Sequence, residues 1–135
     1  MSAAPPPADH ALVVVHDKAQ AQAAIAYAAT HDHPLIVMFS PALALAGGPV
    51  LARAMLPRTL PGPVTFALDC GNDPGVALRA VQVGWTHLVT GGTCSLPEDL
   101  PVTLWTRDVL FGGGRRVVNL HDDRQPASTL RRVLA

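Results

Sequence analysis

A carboxylate and a thiol stand side by side at the end of an apolar run, where they are well placed for chemistry. Asp69 and Cys70 directly follow the segment PVTFAL. A carboxylate there can act as a base, bind a metal, or accept backbone N–H groups of its own loop in an Asx turn. A thiol before a helix can be a nucleophile with a lowered pKa, or a small buried apolar side chain. His16 ends another apolar run, so Asp69, Cys70 and His16 are the candidate catalytic residues.

A pair of glycines follows a further apolar run, in the sequence Thr90-Gly91-Gly92. Paired glycines let the backbone come close to a phosphate or carboxylate, although the same pair also makes a simple tight turn. The pattern is neither a Walker loop nor GxGxxG. Ser40 and Arg107 leave two other apolar runs. We therefore expect Ser40, Thr90, Gly91, Gly92 and Arg107 to contact a ligand, which would be a phosphorylated or carboxylated metabolite.

Metal and cofactor chemistry has little support in the sequence. The six histidines and the two cysteines, Cys70 and Cys94, show no spacing typical of a metal site, so none is predicted. Lys18 is the only lysine and lies outside the apolar runs, which argues against an enzyme that forms a Schiff base with its substrate. The cofactor, if the protein uses one, is unknown from these residues.

The elements that position these residues are clearest over residues 63–92. The run VTFAL alternates larger and smaller apolar residues, which is typical of a strand. Asp73 can cap a helix that has Pro74 in its first turn, and Gly84 can end it. The segment THLVT, over residues 86–90, predicts a second strand. Two strands joined through a helix predict a right-handed βαβ unit.

The part of the chain before this unit repeats the alternation. We predict strands over residues 11–15 and 34–39, and between them a helix over 17–31 that Asp17 caps. A helix start after Ser40 is expected to break at the glycines before Pro49, where the helical pattern resumes. The residues expected to face inward in that second helical piece are Val50, Leu51, Ala54 and Met55.

The later part of the chain continues the same pattern. We predict a fifth strand over residues 102–106, a flexible turn over 111–116, a short sixth edge strand over 117–120 and a helix with Pro126 in its first turn. The fold class is thus α/β, a three-layer open and mostly parallel sheet of five or six strands with helices on both faces, flavodoxin-like or Rossmann-like. Residues 1–9 are predicted to be a disordered proline-rich lead and residues 10–135 a single domain.

Composition limits the partners that the chain can have. Ten basic and ten acidic residues give a formal net charge of zero, so we expect neither a nucleic acid nor a membrane as partner. Hydrophobic residues make up 49% and charged residues only 15%, against a usual charged share of about 25%. An apolar surface of this kind is compatible with a homo-oligomer, although much of the apolar share is alanine. A cytoplasmic location is the default expectation.

Two function classes remain open from the sequence. The first, which we favour, is a small non-catalytic α/β module that acts through assembly or through a protein or small-ligand contact. The second is a small enzyme or binding protein for an anionic metabolite at the carboxyl ends of the strands. Convergence of His16, Asp69, Thr90 and Arg107 around one pocket would favour the second class.

Overall fold

Six parallel strands form one open sheet in the computed structural model, which describes residues 4–42, 47–56 and 63–135. The strands are β1 (Ala11–Val15), β2 (Leu35–Phe39), β3 (Val64–Asp69), β4 (His87–Thr90), β5 (Thr103–Thr106) and β6 (Val117–Asn119). Their spatial order is β5-β4-β3-β2-β1-β6. The first five strands therefore follow one another across the sheet, and β6 returns to pair with the free edge of β1.

Five helices within the described residues lie on the two faces of the sheet. They are α1 (Lys18–His31), α2 (Gly48–Ala54), α3 (Pro74–Gln82), α4 (Arg107–Phe111) and α5 (Pro126–Leu134). Right-handed crossovers that advance in one direction place their helices on the same face. The crossover from β5 back to β6 runs in the other direction, and α4 accordingly packs on the opposite face from the other four helices.

Alternate side chains of each strand enter two separate apolar cores. Val13 and Phe66 belong to the larger core, beneath the four helices of the first face. Leu12 and Ile36 belong to the smaller core, which they share with Leu110 of α4. Both faces of the central strands are therefore covered, which explains why those strands are continuous apolar runs in the sequence.

The predicted fold class is confirmed, with the sixth strand present at the edge of a wholly parallel sheet. The predicted helix starts are confirmed as well. Asp17 accepts the N–H of Gln20 at the start of α1, and Asp73 accepts the N–H groups of Gly75 and Val76 at the start of α3. Short acidic side chains before a helix were thus reliable markers because they satisfy N–H groups that have no partner inside the helix.

The predicted inward face of α2 is wrong for three of its four residues, whereas the fourth, Met55, packs against the larger core. Its buried residues are Pro49 and Ala52. Of the four residues expected to face inward, three are exposed and one is half-buried: Val50, Leu51, Ala54 and Met55. A helix of two turns has too few apolar positions to define a face by periodicity, and small residues allow its backbone to approach the sheet.

The sequence did not predict α4. This helix has only five residues, and its N-cap is Thr106, whose hydroxyl accepts the N–H of Val109. So short a helix shows no amphipathic period that could be recognised. Its position matters for the site because it begins with Arg107 at the carboxyl end of β5.

The tract over residues 111–116, expected to be a free surface turn, is bonded to the rest of the molecule. The Arg115 guanidinium donates to the carbonyl oxygens of Leu110, Pro7 and His10 at 2.6–3.0 Å. Pro6 is buried. Residues 4–9 of the predicted lead therefore contact the domain.

Some predictions fall outside the described residues. Those are the helical piece over residues 43–46, most of the loop over 57–63, and residues 1–3 of the lead. Within the described part of the chain, none of the helices has both the length and the apolar character needed to cross a bilayer.

Candidate ligand site

A cleft of about 650 Å³ opens at the carboxyl ends of β1, β2 and β6. The strand order reverses here, since β1 leads on to β2 on one side while β6 lies on the other. Ligands of open parallel sheets usually bind near such a reversal, in clefts of about 300–1,000 Å³. The lining residues are His16, Asp17, Gln20, Ser40, Ala42, His121, Asp122, Asp123 and Arg124.

Gln20 of α1 holds the walls of the cleft together. Its side chain is buried, its Oε1 accepts the N–H of His16 at 2.8 Å, and its Nε2 donates to the carbonyl oxygens of Leu120 at 2.6 Å and Asp123 at 3.1 Å. One amide thereby fixes the exit of β1 and the loop after β6. The walls are held in place by the protein itself, which lowers the entropy that binding must overcome.

His16 and His121 meet across the cleft although they are far apart in the chain. Their ring centroids lie 5.0 Å apart in an edge-to-face arrangement. His16 Nε2 lies 2.7 Å from Oδ1 of Asn119, and the same Oδ1 accepts the backbone N–H of His121 at 3.0 Å. Because a backbone N–H can only donate, this atom must be the amide oxygen. Neutral His16 therefore carries its proton on Nε2, which leaves Nδ1 able to accept a hydrogen bond.

Two of the three carboxylates in the cleft hold helix ends. Asp17 caps α1. Asp123 accepts the N–H of Gln125 at 2.7 Å and the hydroxyl of Thr129 at 2.5 Å, just before and within α5. The hydrogen bond from Thr129 is the main reason that the pKa of Asp123 lies below its ordinary value of 3.8. These carboxylates serve the local structure and have less capacity left for a ligand.

Charges that remain available to a ligand lie on the rim. Asp122 adopts a left-handed conformation, with φ 58°, and its carboxylate lies 3.2 Å from Nε2 of His121. Arg124 is exposed, and its guanidinium makes no hydrogen bond or ion pair with any described residue. The rim thus presents one carboxylate and one guanidinium.

A second polar arrangement lies at the ends of β3 and β5. Asp69 is 1% exposed and accepts two forked hydrogen bonds from Arg107, from Nη2 at 2.9 Å and from Nε at 3.2 Å. These bonds raise the pKa of Arg107 above its ordinary value. The Asp69 Oδ1 also accepts the N–H of Gly71 at 2.9 Å, which is an Asx turn. Ala67, two residues earlier, belongs to the core on the α4 face. Strand alternation therefore directs Asp69 toward the helix that begins with Arg107.

The thiol next to this pair is buried. Cys70 is 2% exposed, and burial raises its pKa to about 12. A catalytic thiol needs the opposite shift, because the thiolate is the nucleophile. This environment is that of a small apolar core residue.

The paired glycines after β4 lie in a turn, where the space around Gly91 and the backbone angle of Gly92 can be compared with what a larger residue would need. A Cβ at Gly91 would lie 2.5 Å from Oδ1 of Asn72, so the exposed Asn72 side chain would have to move to admit it. Gly92 has φ 95°, which L-residues rarely adopt. Thr90 beside them is buried. The backbone of the turn thus accounts for Gly92 without a ligand, and Gly91 packs against the Asn72 side chain.

The structure divides the residues singled out in the sequence between two places. It brings His16 and Ser40 together in the cleft, and it leaves six outside: Asp69, Cys70, Thr90, Gly91, Gly92 and Arg107. Sequence reasoning missed Asn119, His121 and Arg124. The signal for them was the mostly polar segment NLHDDR, which begins with the last residue of the short sixth strand, the same pattern that marked the other strand ends.

Comparison with known proteins gives no family for the chain, since no protein-family model matches it and no curated protein matches it significantly. Among the residues that the structure describes, no three or more His, Cys, Asp and Glu side chains are grouped so as to hold a metal ion. The site is therefore interpreted from its own geometry.

Proposed function

We propose that this chain is a non-catalytic module that binds a small ligand in the cleft between β1, β2 and β6. The observation that carries the proposal is the cleft itself, which has the volume of a small-molecule site and walls fixed by Gln20. His16 is the only candidate catalytic residue that lines it. His121 and the carboxylate of Asp122 lie beside it, and such a group of hydrogen-bonding side chains can bind and orient a ligand, which is the role that we propose for it.

The lining indicates the chemistry of the ligand. The unpaired guanidinium of Arg124 can form a forked contact with a carboxylate or a phosphate. The Asp122 carboxylate and Nδ1 of neutral His16 accept hydrogen bonds, so they favour a ligand that also carries hydroxyl or amino groups. We therefore infer that the ligand is a small anionic metabolite with hydrogen-bond donors, held by Arg124 at one end.

Isothermal titration tests this function. The probes are inorganic phosphate, a sugar phosphate, a hydroxy acid and an amino acid, and at least one of the three organic probes should bind. Replacement of Arg124 by Gln should weaken that binding at least ten-fold, the effect of losing one charge-assisted contact of about 1.4 kcal/mol or more. Arg131→Gln, on the exposed side of α5, is the matched control and should bind as the wild type does. Equal losses in the two variants, or no binding by any probe, would contradict the proposal.

Assembly is a second candidate function, supported by apolar residues on the outer side of α2. Val50 and Leu51 are 49% and 46% exposed, and Leu78 of the neighbouring α3 is 38% exposed. Exposed apolar residues on adjacent helices are typical of protein contacts. We propose that a homo-oligomer, if the chain forms one, uses this α2–α3 surface.

A further inference from the structure

We propose that Trp105 and Arg115 form a binding site for a proline-rich peptide that ends in a turn, which the chain fills with its own residues 4–10. This proline segment has the sequence APPPADH. The hydrogen bonds that it receives from Trp105 and Arg115 all run in one direction, in which the domain donates and the segment accepts.

Four carbonyl oxygens of the proline segment accept hydrogen bonds from two side chains. Trp105 Nε1 donates to Ala4 at 2.8 Å. Arg115 Nη1 donates to Pro7 and His10 at 2.6 Å each, and its Nη2 lies 3.5 Å from the carbonyl oxygen of Pro6. Tryptophan and arginine can only donate, and proline has no N–H, so a proline segment and this pair are complementary.

The two side chains are fixed independently of the proline segment. Nε of Arg115 donates to the carbonyl oxygen of Leu110 in α4 at 3.0 Å, which orients its fork. Trp105 belongs to the smaller apolar core, is 4% exposed, and has the ring of His87 5.1 Å from its own. Both donors of the binding site are therefore held by the domain.

This combination resembles the general mode by which proteins recognise proline-rich peptides. Proline fixes φ, and the N–H of His10 donates to the carbonyl oxygen of Pro7 at 3.3 Å to close a turn, so the segment is partly ordered by itself and little entropy is lost when it docks. The burial of Pro6 adds apolar contact. A site that holds such a segment within its own chain should also hold one from another molecule, and the chain's own segment should compete with it.

The experiment uses full-length variants and a synthetic peptide of residues 2–10. In a variant with Pro5, Pro6 and Pro7 all replaced by Gly, solvent exchange of the Trp105 indole N–H, followed by NMR, should be at least ten-fold faster than in the wild type. Trp85, whose indole N–H donates to the carbonyl oxygen of Pro49, is the internal reference and should not change. Its signal also reports whether each variant is folded.

The added peptide should then restore protection to Trp105 in the triple-glycine variant, and should bind the wild type at least ten-fold more weakly. Arg115→Gln in the triple-glycine background should abolish this binding, whereas Arg116→Gln, which removes only a contact to Val133, should not. Where Arg115→Gln fails to fold, the comparison between the wild type and the triple-glycine variant alone decides. Unchanged Trp105 exchange in that variant, no binding of the peptide, or equal binding of a peptide with glycine in place of the prolines would overturn the proposal.

Discussion

Asp69 illustrates how a residue that looks catalytic in sequence can be fully satisfied in structure. Its carboxylate is buried, accepts two hydrogen bonds from Arg107 and closes an Asx turn with Gly71. The sequence placed Asp69 correctly at the end of a strand. It could not reveal the partner of Asp69. Arg107 follows β5, on the other side of β4 from Asp69, and it begins a helix too short to give a periodic pattern in the sequence.

Removal of Arg107 should destabilise the protein more than neutralisation of Asp69. Arg107→Ala leaves a buried carboxylate without its cation, and the half-exposed position of Arg107 limits the loss to about 2 kcal/mol of unfolding free energy. Asp69→Asn keeps an oxygen for the Gly71 N–H and should cost about 1 kcal/mol. Urea denaturation measures both, with Arg79→Ala, an exposed arginine of α3, as control at under about 0.5 kcal/mol. A loss for Arg107→Ala no larger than the control would show that the ion pair contributes nothing.

Asp123 gives a stability effect with a defined dependence on pH. Because its pKa in the folded state lies below the ordinary 3.8, its contribution is present at neutral pH and is lost as the pH falls through the folded-state value. Thr129→Val removes the hydroxyl that donates to it. We expect a lower thermal midpoint for this variant at pH 7, and a gap to the wild type that narrows below about pH 4. Ser128→Ala is the control, and a gap that stays constant from pH 7 to pH 3 would contradict the assignment.

At the level of elements, the strands, including the three-residue β6, were predictable from the sequence, whereas the five-residue helix α4 was not. Asp17, Asp73 and Pro126 marked helix starts because capping and first-turn geometry are local properties. The orientation of α2 is not local, since it depends on which residue fits against the sheet. Ala52 fits there, and the larger Leu51 faces outward.

Substitution of the two neighbours Leu51 and Ala52 in α2 should change the unfolding free energy by different amounts. Ala52→Leu inserts a large side chain into a packed site and should reduce the unfolding free energy by about 1–3 kcal/mol. Leu51→Gln changes an exposed position and should alter it by less than about 0.5 kcal/mol. Denaturant titration measures both.

The same Leu51→Gln variant tests assembly through the α2–α3 surface. If the wild type is an oligomer by light scattering at micromolar concentration, the variant should associate more weakly. It should therefore dissociate at a higher protein concentration than the wild type. An oligomer of unchanged affinity would exclude this surface as its interface.

At the level of the whole molecule, the site depends on a feature that the sequence does not contain. The alternation of strands and helices predicted an open parallel sheet, and every strand end carried a polar residue. Strand order decides which of these ends meet. Because β6 has three residues and lies beside β1, residues 16 and 121 face each other, whereas residues 16 and 69 stand two strands, or about 10 Å, apart. The candidate site was therefore predictable as an edge of the sheet and not as a particular cleft.

The most direct test of the ligand-binding cleft is a titration followed by ¹H–¹⁵N NMR, with the same four probes used for calorimetry. We predict that a binding probe shifts the signals of residues in the cleft, namely His16, Gln20, His121 and Arg124, in a saturable manner. The signals of Gly71 and Arg107, around the satisfied Asp69, should stay in place and serve as the control region. Saturable shifts centred on Gly71 and Arg107, or no saturable shift in the cleft at millimolar concentration of any probe, would contradict the assignment of the site.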